Sequence, residues 1–154
     1  MATHTYEARL HWTGSTGAGW DSYDRLHTVA APPAEQEIRA TTGESHGDPA
    51  VLNPEQLLVM AASSCQMLSF LHLAAKARID VVRYEDEATG LMPDDDEPLR
   101  ITEITLRPRI VVAGAASEER VRKLVNTAHE HCFIANSLTS RMTLEPRVEQ
   151  ADGL

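Results

Sequence analysis

The sequence predicts an α+β fold, and three observations carry that prediction. Segments of alternating apolar and polar residues, rich in Val, Ile and Thr, stand before, between and after two segments of helical periodicity. One helical segment, Gln56 to Ala75, contains no Asp, Glu, Lys or Arg in 20 residues. The chain of 154 residues, 42% apolar and 24% charged, is long enough for one core and shows no repeat, low-complexity tract or linker, so residues 1–154 read as a single domain.

The elements follow in order. Tyr6 to Trp12 alternates as a strand with one buried face, Gly14, Gly17 and Gly19 make a turn, and Tyr23 to Val29 reads as the partner strand of a hairpin, ended by Pro32-Pro33. Glu37 to Ala40 reads as a short strand before the polar loop Thr41 to Pro49. Asn53-Pro54-Glu55 opens the first helix: Asn caps, Pro fills the first helical position without losing a hydrogen bond, and Glu faces the positive end of the dipole. That helix runs to about Ala77. Val81 to Thr89 and Ile101 to Val112 read as strands joined by the acidic stretch Met92 to Pro98, a solvated loop without calcium-loop spacing. Ser117 caps a second helix whose apolar residues Val121, Leu124, Val125 and Ala128 fall at i, i+3, i+4 and i+7, with Cys132 continuing the stripe. Thr139 to Val148 reads as a last strand, with Pro146 marking an edge or a frayed end.

Charge narrows the function. Fourteen Lys and Arg against 23 Asp and Glu give a net charge of −9, which argues against nucleic acid and anionic membranes as partners. The N-terminus shows no basic stretch leading into an apolar one, so a cytoplasmic location is expected. The uncharged helix is long enough to span a bilayer, but Gln56, Ser63, Ser64, Gln66, Ser69 and His72 interrupt it and no basic or aromatic belt flanks it. A helix apolar on every side is then the buried axis of the fold, wrapped by sheet or by a partner chain.

Two cysteines, 67 positions apart, are too few for a disulfide framework and form no CxxC pair. They are two buried thiols or a redox pair. Mid-helix burial of Cys65 among small and apolar residues favours an inert thiol, whereas Cys132, where the second helix runs out, has the mobility of a resolving cysteine. A zinc site of Cys65, His72, Cys132 and His129 or His131 is geometrically permitted but matches no standard ligand spacing. His72 otherwise reads as a core histidine, and His129 and His131 as partly exposed helix-end residues. A thiol peroxidase needs a thiolate, a cation to stabilise it and a group to fix that cation; Arg25 and Glu55 are candidates for the last two roles. Glu55 and Cys65 lie ten residues apart on one helix, about 15 Å along its axis, so one site using both must be shared between two chains.

The segments Asn53-Pro54-Glu55-Gln56-Leu57-Leu58, Ala61-Ala62-Ser63-Ser64-Cys65 and Ala128-His129-Glu130-His131-Cys132-Phe133-Ile134-Ala135-Asn136-Ser137 resemble, in order and spacing, the OsmC/Ohr superfamily of thiol-dependent peroxidases. The resemblance implies an intertwined α+β homodimer, antiparallel sheets around a long buried helix, with active sites at the interface. It implies a peroxidatic Cys65, a resolving Cys132 and a Glu55 that holds the activating arginine. In the hydroperoxide-resistance branch that arginine lies in a glycine-rich loop. The loop Gly14 to Gly19 has none, so Arg25 is the substitute, with Arg9 and Arg39 behind it. The chemistry implied is reduction of an organic hydroperoxide by Cys65, a sulfenic acid resolved by Cys132 as a disulfide, and regeneration by a dithiol, lipoyl or small, without metal, flavin or haem. Leu57, Met60, Met67, Phe70 and Phe133 are the expected apolar wall. Two other readings are a non-catalytic relative that binds an apolar small molecule, with an inert Cys65 and a solvent-facing Arg25, and a zinc-binding module.

Overall fold

The computed structural model describes residues 1–43 and 46–151, so part of the loop expected at Thr41 to Pro49 lies outside the described residues. The chain divides into two compact units, Met1–Leu57 and Leu58–Leu154.

The first unit is an antiparallel sheet of β1 (Arg9–His11), β2 (His27–Ala30) and β3 (Glu37–Ala40), in that order. β3 coincides with the short strand expected at Glu37 to Ala40. β2 begins four residues later than expected, because Tyr23 to Leu26 are taken up by side-chain and backbone bonds of the preceding loop: Asp24 Oδ1 accepts from Leu26 N at 2.9 Å and Asp24 O accepts from Trp12 Nε1 at 2.8 Å. Gly19 sits in that loop at φ 98°, a conformation that costs glycine nothing. Beyond β3 the backbone returns beside it, Thr41 N donating to Leu52 O at 2.9 Å. α1 (Pro54–Lys76) then starts with a reciprocal cap: Asn53 Oδ1 accepts from Gln56 N at 2.8 Å, and Gln56 Oε1 accepts from Asn53 N at 3.1 Å.

The second unit holds the remainder of α1, six strands and α2 (Glu118–Glu130). β4 (Asp80–Asp86), β7 (Pro108–Ala113) and β9 (Arg147–Gln150) form one sheet in the order β4-β7-β9. β5 (Thr89–Leu91), β6 (Glu103–Leu106) and β8 (Arg141–Leu144) form another in the order β5-β6-β8. The expected strands Ile101 to Val112 and Thr139 to Val148 are each broken in two, and the halves belong to different sheets. Pro108 and Pro146, which supply no N–H to a ladder, stand at the breaks. The two broken strands run parallel, β6 against β8 and β7 against β9, so the sheets are mixed rather than purely antiparallel. The connection through α2 is long enough to make the parallel return. Pro146 is thus a joint between two edge strands, not a frayed end.

α2 is capped as its sequence predicts, Ser117 Oγ accepting from Arg120 N at 3.3 Å. Its stripe of Val121, Val125 and Ala128 meets Phe70 and Ala74 of α1 and Ile110 and Val112 of β7 in the main core; Ala62, Ile104 and Leu106 make a second cluster. Only one face of α1 is buried within the chain, Ala62, Gln66, Phe70 and Ala74, so the expectation of burial on every side fails for the isolated chain. Met60 and Leu68, 52% and 61% exposed, lie on the opposite side.

Candidate active site

Cys65 sits on α1 beside the buried face and is partly exposed, not enclosed as its apolar neighbours suggest. The next residue, Gln66, is fully buried, and its Nε2 donates to Val125 O of α2 at 3.0 Å, tying the two helices together at the level of Cys65. α2 ends at Glu130, and Cys132 follows with no exposed surface, its N–H donating to His129 O at 3.2 Å. The chain then turns through a single 3₁₀ turn, Ala135–Ser137. Asn136 clamps that turn: its N–H donates to Cys132 O at 3.0 Å and its Nδ2 to Glu130 O at 3.1 Å, while Ser137 Oγ donates to Phe133 O at 2.7 Å.

These constraints bring the two cysteines together as free thiols. Burial pushes the Cys132 thiol above its ordinary range. The N–H groups of Ala135 and Ile134 bond to its sulfur and oppose that shift, while a hydrogen bond and charge repulsion from Cys65 add to it. Tyr84, whose ring lies 5.8 Å from that of Phe70, is also shifted upward by burial, then by the charges of Asp86 and Cys132. Its hydroxyl has no partner among the described residues.

The other two predicted site residues belong to the first unit. Arg25 and Glu55 line one cleft of about 460 Å³ with Leu10, Trp12, Tyr23 and His27. Among the described residues Arg25 makes no ion pair with Glu55. Its Nη1 donates to Tyr23 O at 2.9 Å, its Nη2 donates to Trp20 O, and its guanidinium lies 4.0 Å from the centre of the Tyr23 ring. Arg25 is therefore held in the wall of the cleft rather than turned to solvent. Arg9 and Arg39 are exposed strand residues and do not line it.

Other expectations are corrected. His72 is exposed, not a core residue, because it falls opposite the buried face of α1. His129 is half-buried and His131 exposed, as helix-end residues should be. Among the described residues no group of three or more His, Cys, Asp or Glu side chains could hold a metal ion, so the zinc set does not assemble. Of the residues expected as an apolar wall, Phe70 is fully buried in the core, Met60 and Phe133 are 52% and 78% exposed in the single chain, and Met60 and Met67 line one cavity with Ser63, Ser64 and Tyr84. Trp12 and Tyr23, which do line a cleft, were missed; their signal was an aromatic pair flanking the glycine loop.

Residues 46–147 match the family model for OsmC-like protein. The chain belongs to that family. The match includes both cysteines and Glu55 and spans parts of both units. The OsmC-like protein VCA0330 of Vibrio cholerae has a solved structure 30% identical to this chain, with a TM-score of 0.84 over 94% of this chain and all of that one. The organic hydroperoxide resistance protein OsmC of Legionella pneumophila shares the OsmC-like fold at 18% identity, with a TM-score of 0.68 over 97% of this chain and 99% of that one. YmaD of Bacillus subtilis (strain 168) is 22% identical over 94% of this chain and 93% of its own. α1 is the one helix among the described residues long and apolar enough to cross a membrane, and it is the long helix of this OsmC-like fold.

Proposed function

We propose that this OsmC-like chain is a cytoplasmic thiol peroxidase that reduces organic hydroperoxides, acting as one domain in a homodimer. The observation that carries the reading is the meeting of Cys65 and Cys132 across 67 residues of sequence, one thiol accessible and the other enclosed. The Cys65 thiolate attacks the terminal peroxide oxygen, the O–O bond breaks, and the alcohol leaves after taking a proton; Cys65 becomes a sulfenic acid. Cys132 gives up its proton and attacks that sulfur, expelling water and forming the disulfide. A dithiol, lipoyl or small, then attacks Cys65, the accessible sulfur, and Cys132 leaves as a thiolate toward the N–H groups of Ala135 and Ile134. Arg25 supplies the cation that stabilises the Cys65 thiolate, Glu55 sets the charge around Arg25, and a symmetric dimer lets this pair on one protomer serve the thiols of the other. Family membership and the named hydroperoxide resistance protein of the same fold support the substrate class.

Stopped-flow oxidation of the reduced protein by cumene hydroperoxide and hydrogen peroxide tests this. Rapid reaction is expected in the wild type, none in Cys65→Ser, and a loss of about 10²-fold in Arg25→Ala, typical of removing a charge-stabilising donor. A wild type no faster than a free thiol ends the peroxidase reading.

A further inference from the structure

We propose that residues 132–137 form a cradle for the Cys132 thiolate and that Asn136 is the positioning residue that holds it, setting how readily Cys132 resolves the sulfenic acid and how readily it leaves on re-reduction. The two steps it serves rest on the peroxidase reading; the cradle does not.

Cys132 stands at the wrong end of a helix for a thiolate. α2 ends at Glu130, and the carbonyls of its last turn gather roughly half a negative charge there. Three of those carbonyls are taken up locally. Ala128 O and His129 O accept from the N–H groups of His131 and Cys132, each at 3.2 Å, and Glu130 O accepts from Asn136 Nδ2 at 3.1 Å. The first two bonds belong to the backbone and survive a change of side chain. The third, nearest in sequence to the cysteine, depends on one amide group.

Asn136 also closes the turn. Its N–H donates to Cys132 O at 3.0 Å, so this residue grips the chain both at Cys132 and at the end of α2 before it. The closed turn brings the N–H groups of Ile134 and Ala135 to the Cys132 sulfur, and both bond it. Successive peptide N–H groups around one atom favour its anion. Packing does not replace the clamp: Ile134 and Leu138 rest on the second core cluster, but Asn136 and Ser137 are exposed. The titratable groups near the sulfur are Cys65 of α1 and Tyr84 of β4, with His129, Glu130 and His131 on its own segment. Cys65 opposes the thiolate, so the N–H groups of the cradle are what favours it.

One cradle serves both steps because the same sulfur carries the charge in each. In resolution the Cys132 thiolate attacks the sulfenic sulfur of Cys65, the S–S bond forms, the S–O bond breaks, and the hydroxyl leaves as water with the proton Cys132 released. In re-reduction the dithiol attacks Cys65, and the electron pair of the broken S–S bond returns to Cys132.

Cys132 is the one cysteine left in Cys65→Ser, so the NMR shift of its isotope-labelled Cβ reads its ionisation directly. Adding Asn136→Ala is expected to move the titration midpoint up by about one pH unit. Adding Asn136→Asp, which sets a carboxylate against Glu130 O, should move it at least as far. With Cys65 intact, resolution after a pulse of cumene hydroperoxide should be about threefold slower in Asn136→Ala near neutral pH, since a roughly tenfold smaller thiolate fraction is partly offset by the stronger nucleophilicity of a more basic thiolate. That deficit should vanish at a pH above the raised midpoint. A midpoint unmoved by both substitutions, or resolution slowed equally at every pH, overturns the proposal. A raised midpoint in a protein that consumes no peroxide upholds the cradle and removes the peroxidase reading; rapid peroxide consumption with an unmoved midpoint does the reverse.

Discussion

Burial raises the Cys132 thiol, and the adjoining Cys65 side chain raises it further against the pull of the Ala135 and Ile134 N–H groups. An acid whose pKa rises on folding binds its proton more tightly in the native state. Its contribution to stability is complete below the ordinary thiol pKa of about 8.5 and fades as pH climbs through the raised value. Urea unfolding of the reduced protein should therefore show stability falling above about pH 8.5. Cys132→Ala should flatten that fall at the cost of a small cavity, and equal slopes in the two proteins would dissociate Cys132 from it. The same shift makes resolution of the sulfenic acid faster as pH rises, since the attacking species is the thiolate. At this scale the sequence names the candidate residues through their motifs, but it misplaces His72, because one apolar helix gives no clue as to which face is covered.

Gln66 joins α1 to α2 through Val125 O, yet its Oε1 is buried without a hydrogen-bond partner among the described residues. A buried carbonyl without a partner costs free energy that an isosteric apolar side chain recovers, and Val125 O keeps its place in the ladder of α2. Gln66→Met should accordingly fall within about 1.5 kcal/mol of the wild type in chemical denaturation. Gln66→Ala, which leaves a cavity, should cost about 2–5 kcal/mol. A Gln66→Met as damaging as Gln66→Ala would show that the helix-to-helix hydrogen bond carries the stability. The limits of both helices were legible, because Asn53-Pro54-Glu55 and Ser117 state their caps locally. The limits of the long strands were not. Pro108 and Pro146 signal breaks, but nothing in either segment says that its halves serve two sheets, which the parallel pairing of the two broken strands decides.

A chain that leaves Met60 and Leu68 more than half exposed on its longest apolar helix carries a surface suited to a second copy, consistent with the proposed dimer. Leu68→Glu should convert the dimer to monomer in sedimentation velocity and reduce peroxide turnover with it, because Arg25 and Glu55 of one protomer could no longer serve the thiols of the other. A monomeric wild type with full activity would remove the shared-site model. The sequence by itself determined the α+β class, the helix caps and the family, since each is written in local chemistry or short motifs, and it nominates Cys65, Cys132 and Glu55 through those motifs and Arg25 as the substitute for an absent loop arginine. Only the tertiary structure decided that 67 residues of separation close to a thiol contact, that Cys132 is enclosed and Cys65 accessible, and that Arg25 is fixed in an aromatic cleft. Burial and approach depend on how distant elements pack, and a linear pattern records the faces of those elements but not their partners.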